Sequence, residues 1–179
     1  MILSEIDALI FDFDGVLTNN SVYLSQTGEE SVLCSRSDGL AFDVSRKINK
    51  PAFILSTEKS CVVQMRANKL KITAIQGVED KVAAVKELAL ANNYKLQNIL
   101  YVGNDLNDYL AMCICGYTAC PVDSHPKIKE MAMHVLETKG GYGVVRELLE
   151  QTLNLDFMEI LYLKKGEMYD DNSSSRNWN

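Results

Sequence analysis

Short apolar runs of strand length alternate with helix-patterned segments along most of this 179-residue chain, and that order constrains its fold more than any other feature. Ala8–Phe13, Ala52–Leu55, Ile72–Ile75, Asn98–Val102 and Tyr117–Cys120 read as strands. Between and after them, Leu40–Ile48, Cys61–Leu70, Glu79–Asn92, Tyr109–Cys115 and Pro126–Met133 carry helical patterns. Glu79–Asn92 is the clearest, because Val82, Val85, Leu88 and Ala89 recur at spacings of three and four and so share one face. Pro126 suits the first turn of its helix. Strands alternating with helices predict an α/β fold, a Rossmann-like three-layer parallel sheet with helices on both faces. Ligands of such sheets bind beyond the carboxyl ends of the strands. One hairpin interrupts the alternation: Ser21–Leu24 and Ser31–Cys34 flank Gln26-Thr27-Gly28-Glu29, directly after the first strand. It is expected to project near the ligand-binding end. Val144–Leu153 closes the ordered part, and a polar, frayed tail is expected over 164–179, leaving 1–163 as the one domain.

Charge and composition exclude several classes. The net charge is -6 with no basic stripe, which argues against a nucleic-acid partner. No apolar run approaches the roughly 20 residues of a membrane helix. The N-terminal Met1–Asp7 carries Glu5 and Asp7 and no basic cluster, so no secretory signal is expected. The five cysteines are odd in number and contain no Cys-x-x-Cys, which fits reduced thiols in a cytoplasmic protein. His125 and His134 are expected to be structural or surface residues.

The segment Asp12-Phe13-Asp14-Gly15-Val16-Leu17-Thr18 ends the first apolar run. Two carboxylates spaced two apart fall on one side of a continuing strand, and Gly15 allows a sharp turn. Close acids repel unless a cation lies between them, and a hard cation such as magnesium suits that oxygen environment. A second acidic stretch, Gly103-Asn104-Asp105-Leu106-Asn107-Asp108, follows another apolar run. Taken alone it reads as a capped turn. Lys81 opens the clearest helix, where a lysine is ordinarily solvated, and Ser56 ends the second strand, where a serine is ordinarily a cap.

Together these motifs resemble the haloacid dehalogenase superfamily of phosphatases. The resemblance covers about Ile6–Glu150 and implies Asp12 as the nucleophile that forms an aspartyl-phosphate. It implies Asp14 as the general acid and base, with its main-chain carbonyl on the metal. Lys81 would neutralise the nucleophile and the transferring phosphoryl group, and Ser56 would hold a phosphate oxygen. Asn104 occupies the position of a magnesium-ligating acid, so it can offer an amide oxygen but no charge. Asp105 and Asp108 are the acids left to offset this, and Asp108 matches the acid that orients a metal-bound water. Mg2+ is the implied cofactor.

The hairpin, Ser37-Asp38-Gly39-Leu40 and Gly140-Gly141-Tyr142-Gly143-Val144-Val145-Arg146-Glu147 are similar to one branch of that superfamily, the capless, tetrameric phosphatases of 3-deoxy-2-ulosonic acid phosphates. No insertion here is long enough to form a cap domain. Octulosonate 8-phosphate phosphatases carry Ser-Gly-Arg where this chain has Ser56-Thr57-Glu58, and Arg-Asp-Gly where it has Ser37-Asp38-Gly39. The Ser-Thr-Glu form resembles the nonulosonate 9-phosphate phosphatases. Glu58 would accept hydrogen bonds from sugar hydroxyls or an amine, and Arg66 and Lys69 match basic substrate-contact positions, with Asp38 and Gly39 as further contacts. A 2-keto-3-deoxynononate or N-acylneuraminate 9-phosphate is therefore the expected substrate, and the eight-carbon octulosonate 8-phosphate the alternative. A silent assembly domain, like the one appended to animal CMP-sialate synthases, is a third reading. The expected partner is a second copy of the chain, in a homotetramer whose neighbouring subunit closes the site; the hairpin and the segment after Leu153 are the candidate lids. The glycine run is either a plain loop or a close backbone approach to the site or to a neighbour.

Overall fold

The computed structural model describes residues 1–163; the expected tail at 164–179 lies outside them. Strand β1 (Ala8–Phe11) is followed by an irregular turn and by the hairpin β2 (Thr18–Leu24) and β3 (Glu30–Cys34). Next come α1 (Ser37–Lys47), β4 (Ala52–Leu55), α2 (Cys61–Leu70), β5 (Thr73–Ile75) and α3 (Lys81–Asn92). The chain then runs through β6 (Ile99–Val102), α4 (Tyr109–Ile114), β7 (Tyr117–Cys120), α5 (Pro126–Met131), β8 (His134–Val135), α6 (Val144–Glu147) and α7 (Phe157–Tyr162).

Six strands form one sheet in the order β5-β4-β1-β6-β7-β8, with every adjacent pair parallel. The order reverses at β1, which pairs with β4 on one edge and β6 on the other. Alternate side chains of the buried strands serve opposite faces, as the strand period requires. Leu9, Phe11, Leu100 and Val102 join a core with α1, α2, α6 and α7; Ile10, Ile99 and Tyr101 join another with α3, α4 and α5. Residues of β1 and β6 are fully buried because both faces are covered. This is the expected three-layer α/β architecture. The reversal at β1 leaves a crevice beyond the carboxyl ends of β1, β4 and β6, and the hairpin stands beside it.

Three expectations about elements need correction. Helix α1 starts at Ser37 rather than Leu40, because Asp38 and Gly39 belong to its first turn. The Pro126–Met133 helix stops at Met131, and His134–Val135 adds an edge strand that two residues cannot announce by periodicity. Order does not end at Leu153. Helix α7 follows, with Phe157 buried in the core beneath the Arg146 guanidinium, 4.6 Å from its ring centre, and Lys47 Nζ donating to the Leu161 carbonyl at 2.6 Å. In a single chain, residues 154–163 do not line the crevice. Among the described residues, no helix is long and apolar enough to cross a membrane.

Candidate active site

Asp12 leaves β1 with its amide still donating to the Val102 carbonyl at 2.9 Å, so the sheet itself fixes where the carboxylate begins. The chain then bends at Gly15, whose φ is +83°. A Cβ there would come within 1.9 Å of the Asn104 amide, so glycine is needed both for the turn and for the approach of the second acidic loop. Thr18 ties the turn together. Its hydroxyl accepts from the Gly15 amide and donates to Asp14 Oδ1, each at 3.2 Å.

Lys81, the first residue of α3, lies between two carboxylates. Its Nζ donates to Asp12 Oδ1 at 2.8 Å and to Asp108 Oδ1 at 2.7 Å, with all three groups buried. Burial works to lower the ammonium pKa, but the two carboxylates outweigh it and raise the value. The Asp12 carboxyl is raised by burial and by Asp108, against the pull of Lys81. Asp14, half-buried, is also raised, first by burial and then by the nearby Glu58 and Glu30.

Asp108 is 0% exposed and accepts four hydrogen bonds. Oδ1 takes Lys81 and the Tyr101 hydroxyl (2.9 Å); Oδ2 takes the amides of Asn104 (2.9 Å) and Asp105 (3.3 Å). It thus joins the lysine to the Asn104 loop. The expectation that it faces a metal-bound water is corrected, since both oxygens are turned inward and saturated. Asp105 lines the crevice, with its Oδ1 accepting from Leu106 N at 2.7 Å. Tyr101 escaped the sequence reading, and the signal was a lone hydroxyl in the otherwise apolar strand Ile99–Val102. Burial and Asp108 raise its pKa well above the ordinary value, so it stays a donor.

The side chain of Asn104 tests whether these residues suit a cation. Turned one way, its amide nitrogen donates to Asp12 Oδ2 at 3.1 Å and to the Asp14 main-chain oxygen at 2.9 Å. Turned the other way, its oxygen faces the same two acceptors, and three oxygens converge with no proton between them. Only a cation makes that second arrangement favourable, and an all-oxygen set suits a hard one. The residues therefore fit a magnesium-type ion. Among the described residues, no three His, Cys, Asp or Glu side chains are grouped to hold a metal; the set depends on an amide and a main-chain carbonyl.

Ser56 directly follows β4, with its hydroxyl accepting from the Glu58 amide at 3.1 Å. Ser56, Glu58, Asp12, Asp14 and Asn104 line one crevice of about 360 Å³. A neighbouring cavity of about 220 Å³ runs under the hairpin, with Glu30, Val22 and Val32 joining Asp14 and Glu58, and Asn20 borders both spaces. The sequence reading missed Asn20 and Glu30.

The remaining expected substrate contacts are elsewhere. Asp38 is buried with Oδ1 accepting from the Val145 and Arg146 amides (3.0 and 3.3 Å), so it caps α6 rather than meeting a ligand. Burial pushes its carboxyl up to about 6. Gly39, Arg66 and Lys69 line a separate basic groove of about 600 Å³ with Arg36 and Lys71, and Arg66 donates to the Ser35 carbonyl at 2.6 Å. In a single chain none of them lines the Asp12 crevice. His125 caps α5, accepting from Lys127 N at 3.2 Å.

Residues 47–148 match the model of the haloacid dehalogenase-like hydrolases, a span that begins after Asp12 and Asp14. The chain is 31% identical over 151 residues to the 3-deoxy-D-manno-octulosonate 8-phosphate phosphatase of Yersinia pestis, covering 84% of this chain and 81% of that protein. A crystal structure of the phosphatase of that name from Yersinia pestis superposes with a TM-score of 0.79 at 30% identity, covering 84% and 85% of the two chains. The cobalt-bound form of the Haemophilus influenzae phosphatase gives 0.79 at 26% identity, covering 88% and 90%. The family match and the breadth of these alignments together establish that the chain belongs to the haloacid dehalogenase-like hydrolases.

Proposed function

We propose that residues 1–163 are a capless, magnesium-dependent phosphatase domain that hydrolyses a 3-deoxy-2-ulosonic acid phosphate through an aspartyl-phosphate on Asp12. The chain is a phosphatase, and magnesium is its cofactor. One observation carries the reading: Asp12 is held by Lys81 on one side and faces the Asn104 amide and the Asp14 carbonyl on the other, at the switch point of the sheet.

The chemistry follows from these positions. An Asp12 oxygen attacks phosphorus in line as the ester P–O bond breaks, and Asp14 gives its proton to the departing sugar oxygen. Water then attacks the same phosphorus, Asp14 takes a proton from it, and the Asp12–phosphorus bond breaks to release phosphate. Lys81 and the Ser56 hydroxyl offset charge on the phosphoryl oxygens. Asp12, Asn104 and the Asp14 carbonyl would hold the cation, which supplies further positive charge at the reacting phosphoryl group.

Glu58 supports a nine-carbon substrate, because a carboxylate at that position suits hydroxyls or an amine. The similarity to octulosonate phosphatases supports the eight-carbon alternative. Phosphate release should be measured across 2-keto-3-deoxynononate 9-phosphate, N-acetylneuraminate 9-phosphate and 3-deoxy-D-manno-octulosonate 8-phosphate. The nine-carbon compounds are expected to give the highest kcat/KM, and preference for the octulosonate would decide for the alternative. A cytoplasmic homotetramer completes the reading. The five cysteines form no disulfide, and Lys81, already engaged, is the one cation among the described residues that reaches the nucleophile. A substrate carboxylate would then meet Arg66 and Lys69 of a neighbouring copy.

Asn104→Asp is expected to bind magnesium about ten-fold more tightly, because affinity rises with ligand charge. Without metal, the variant should melt below wild type, since a second carboxylate replaces an amide that can donate to Asp12 and Asp14. Titration calorimetry and thermal melts with and without magnesium read both effects. Unchanged affinity would remove Asn104 from the metal set.

A further inference from the structure

The segment before α6 is tied down along its length. The Glu147 carboxylate accepts from the amides of Glu137 and Thr138 at 2.8 and 2.7 Å. Asp123 Oδ1 accepts from Gly140 N, and the Val16 carbonyl accepts from Gly141 N, both at 3.0 Å. At its far end Asp38 caps Val145 and Arg146.

Between these ties the chain presses on another backbone. A Cβ on Gly140 would fall 2.1 Å from the Gly15 carbonyl oxygen and 3.0 Å from that of Thr18. On Gly141, whose φ is +76°, it would fall 2.4 Å from Asn19 N. Main chain cannot swing aside as a long side chain can, so any residue larger than glycine must displace the turn. The turn it presses on is Gly15–Asn19, which begins directly after Asp14 and carries the Thr18 hydroxyl that donates to the Asp14 carboxylate.

We propose that Gly140 and Gly141, held in place by Asp123, are positioning residues that set the aim of the Asp14 carboxyl at the leaving oxygen. None of the three touches the reacting atoms; they act through the backbone of Gly15–Asn19 and the Thr18 hydroxyl. The inference rests on Asp14 as the general acid of the proposed phosphatase.

A misaimed acid matters in proportion to the leaving group's need for a proton. Phenyl phosphate departs as a basic phenolate and p-nitrophenyl phosphate as a weakly basic one. The value of kcat/KM reports the first phosphoryl transfer for both. Since general acid catalysis contributes about 10²–10⁴-fold, a partial misalignment in Gly140→Ala is expected to lower kcat/KM about 10-fold or more on phenyl phosphate. On p-nitrophenyl phosphate the fall should stay below about 3-fold, because that leaving group needs little protonation. Asp123→Ala, an exposed change that spares the packing, should show the same selective loss, and Asp123→Asn, which keeps a carbonyl acceptor for Gly140 N, should restore it. Should Gly140→Ala fail to fold, the Asp123 pair carries the test. Equal losses on both substrates would mean a merely structural role and overturn the proposal, as would no loss on phenyl phosphate. A wild-type protein that releases phosphate from neither these compounds nor any of the three ulosonate phosphates overturns the phosphatase reading, and this proposal with it; wild-type turnover with non-selective variants overturns this proposal alone.

Discussion

Asp12→Asn is expected to abolish turnover while leaving the protein folded. The amide keeps the size and hydrogen-bonding outline of the carboxylate but is a far weaker nucleophile, so kcat should fall on the order of 10⁴-fold or more. The fold should tolerate the change. Asp12 sits at the end of β1, where main-chain pairing to Val102 is unaffected, and Lys81 retains Asp108 as a partner. Phosphate release measures the loss, circular dichroism and a thermal melt measure the fold, and acid quenching followed by intact-mass measurement detects the phosphorylated enzyme. Wild type should carry the phosphoryl adduct during turnover and the variant none. A variant within about ten-fold of wild-type activity would show that phosphorus is attacked by something else, since no auxiliary role of Asp12 could be so nearly dispensable to a nucleophilic mechanism.

The site was legible in the sequence wherever chemistry and local structure coincide. Asp12 and Asp14 follow an apolar run, Ser56 ends another, and Asn104 follows a third; these are the carboxyl ends of β1, β4 and β6, which the reversal of strand order brings together. Element bounds were legible for the same reason. Ala52–Leu55, Cys61–Leu70 and Tyr117–Cys120 are each bounded by polar or turn-forming residues that mark where the element begins and ends.

What could not be read were the partnerships that depend on long returns of the chain. Asp38 beside Gly39 resembles a ligand-facing acid, yet it caps a helix more than a hundred residues away. Nothing around Glu147 announces its partners, yet its two oxygens hold the amides of Glu137 and Thr138. Tyr101 looked like one more core aromatic, because its hydroxyl finds Asp108 only after the chain turns back at the end of β6. Arg66 and Lys69 do share a groove, as their spacing of three on α2 suggests, but that groove is not the one containing Asp12. Helix α7 has no boundary signal strong enough to separate it from the polar residues beside it; its place is set by packing on α1.

Lys81→Met tests the second half of the machinery and should damage both stability and rate. The substitution keeps the length of the side chain but removes the one cation that Asp12 and Asp108 share. Removing one partner from a buried ion pair costs about 3–5 kcal/mol, because the remaining charges stay desolvated. Urea denaturation at neutral pH should show a loss of that size. The loss should depend on pH with a definite sign. Asp12 is already raised above its ordinary 3.8 by burial and Asp108 with Lys81 present, and without Lys81 it must rise further. The folded state then holds a proton that the unfolded state has released, so folding stability falls as pH rises from 3.8 through the raised value. Wild type holds that proton too up to its own raised value, so the deficit of the variant should stay flat below that value and widen as pH rises from it towards the higher value of the variant. Turnover should fall on the order of 10²–10³-fold, the range seen when one preorganised positive group is removed from a developing anion. A variant as stable as wild type at neutral pH, with the same pH profile, would mean that the Lys81 ammonium is solvated rather than shared. The link that Asp108 makes between the lysine and the Asn104 loop would then have no energetic content.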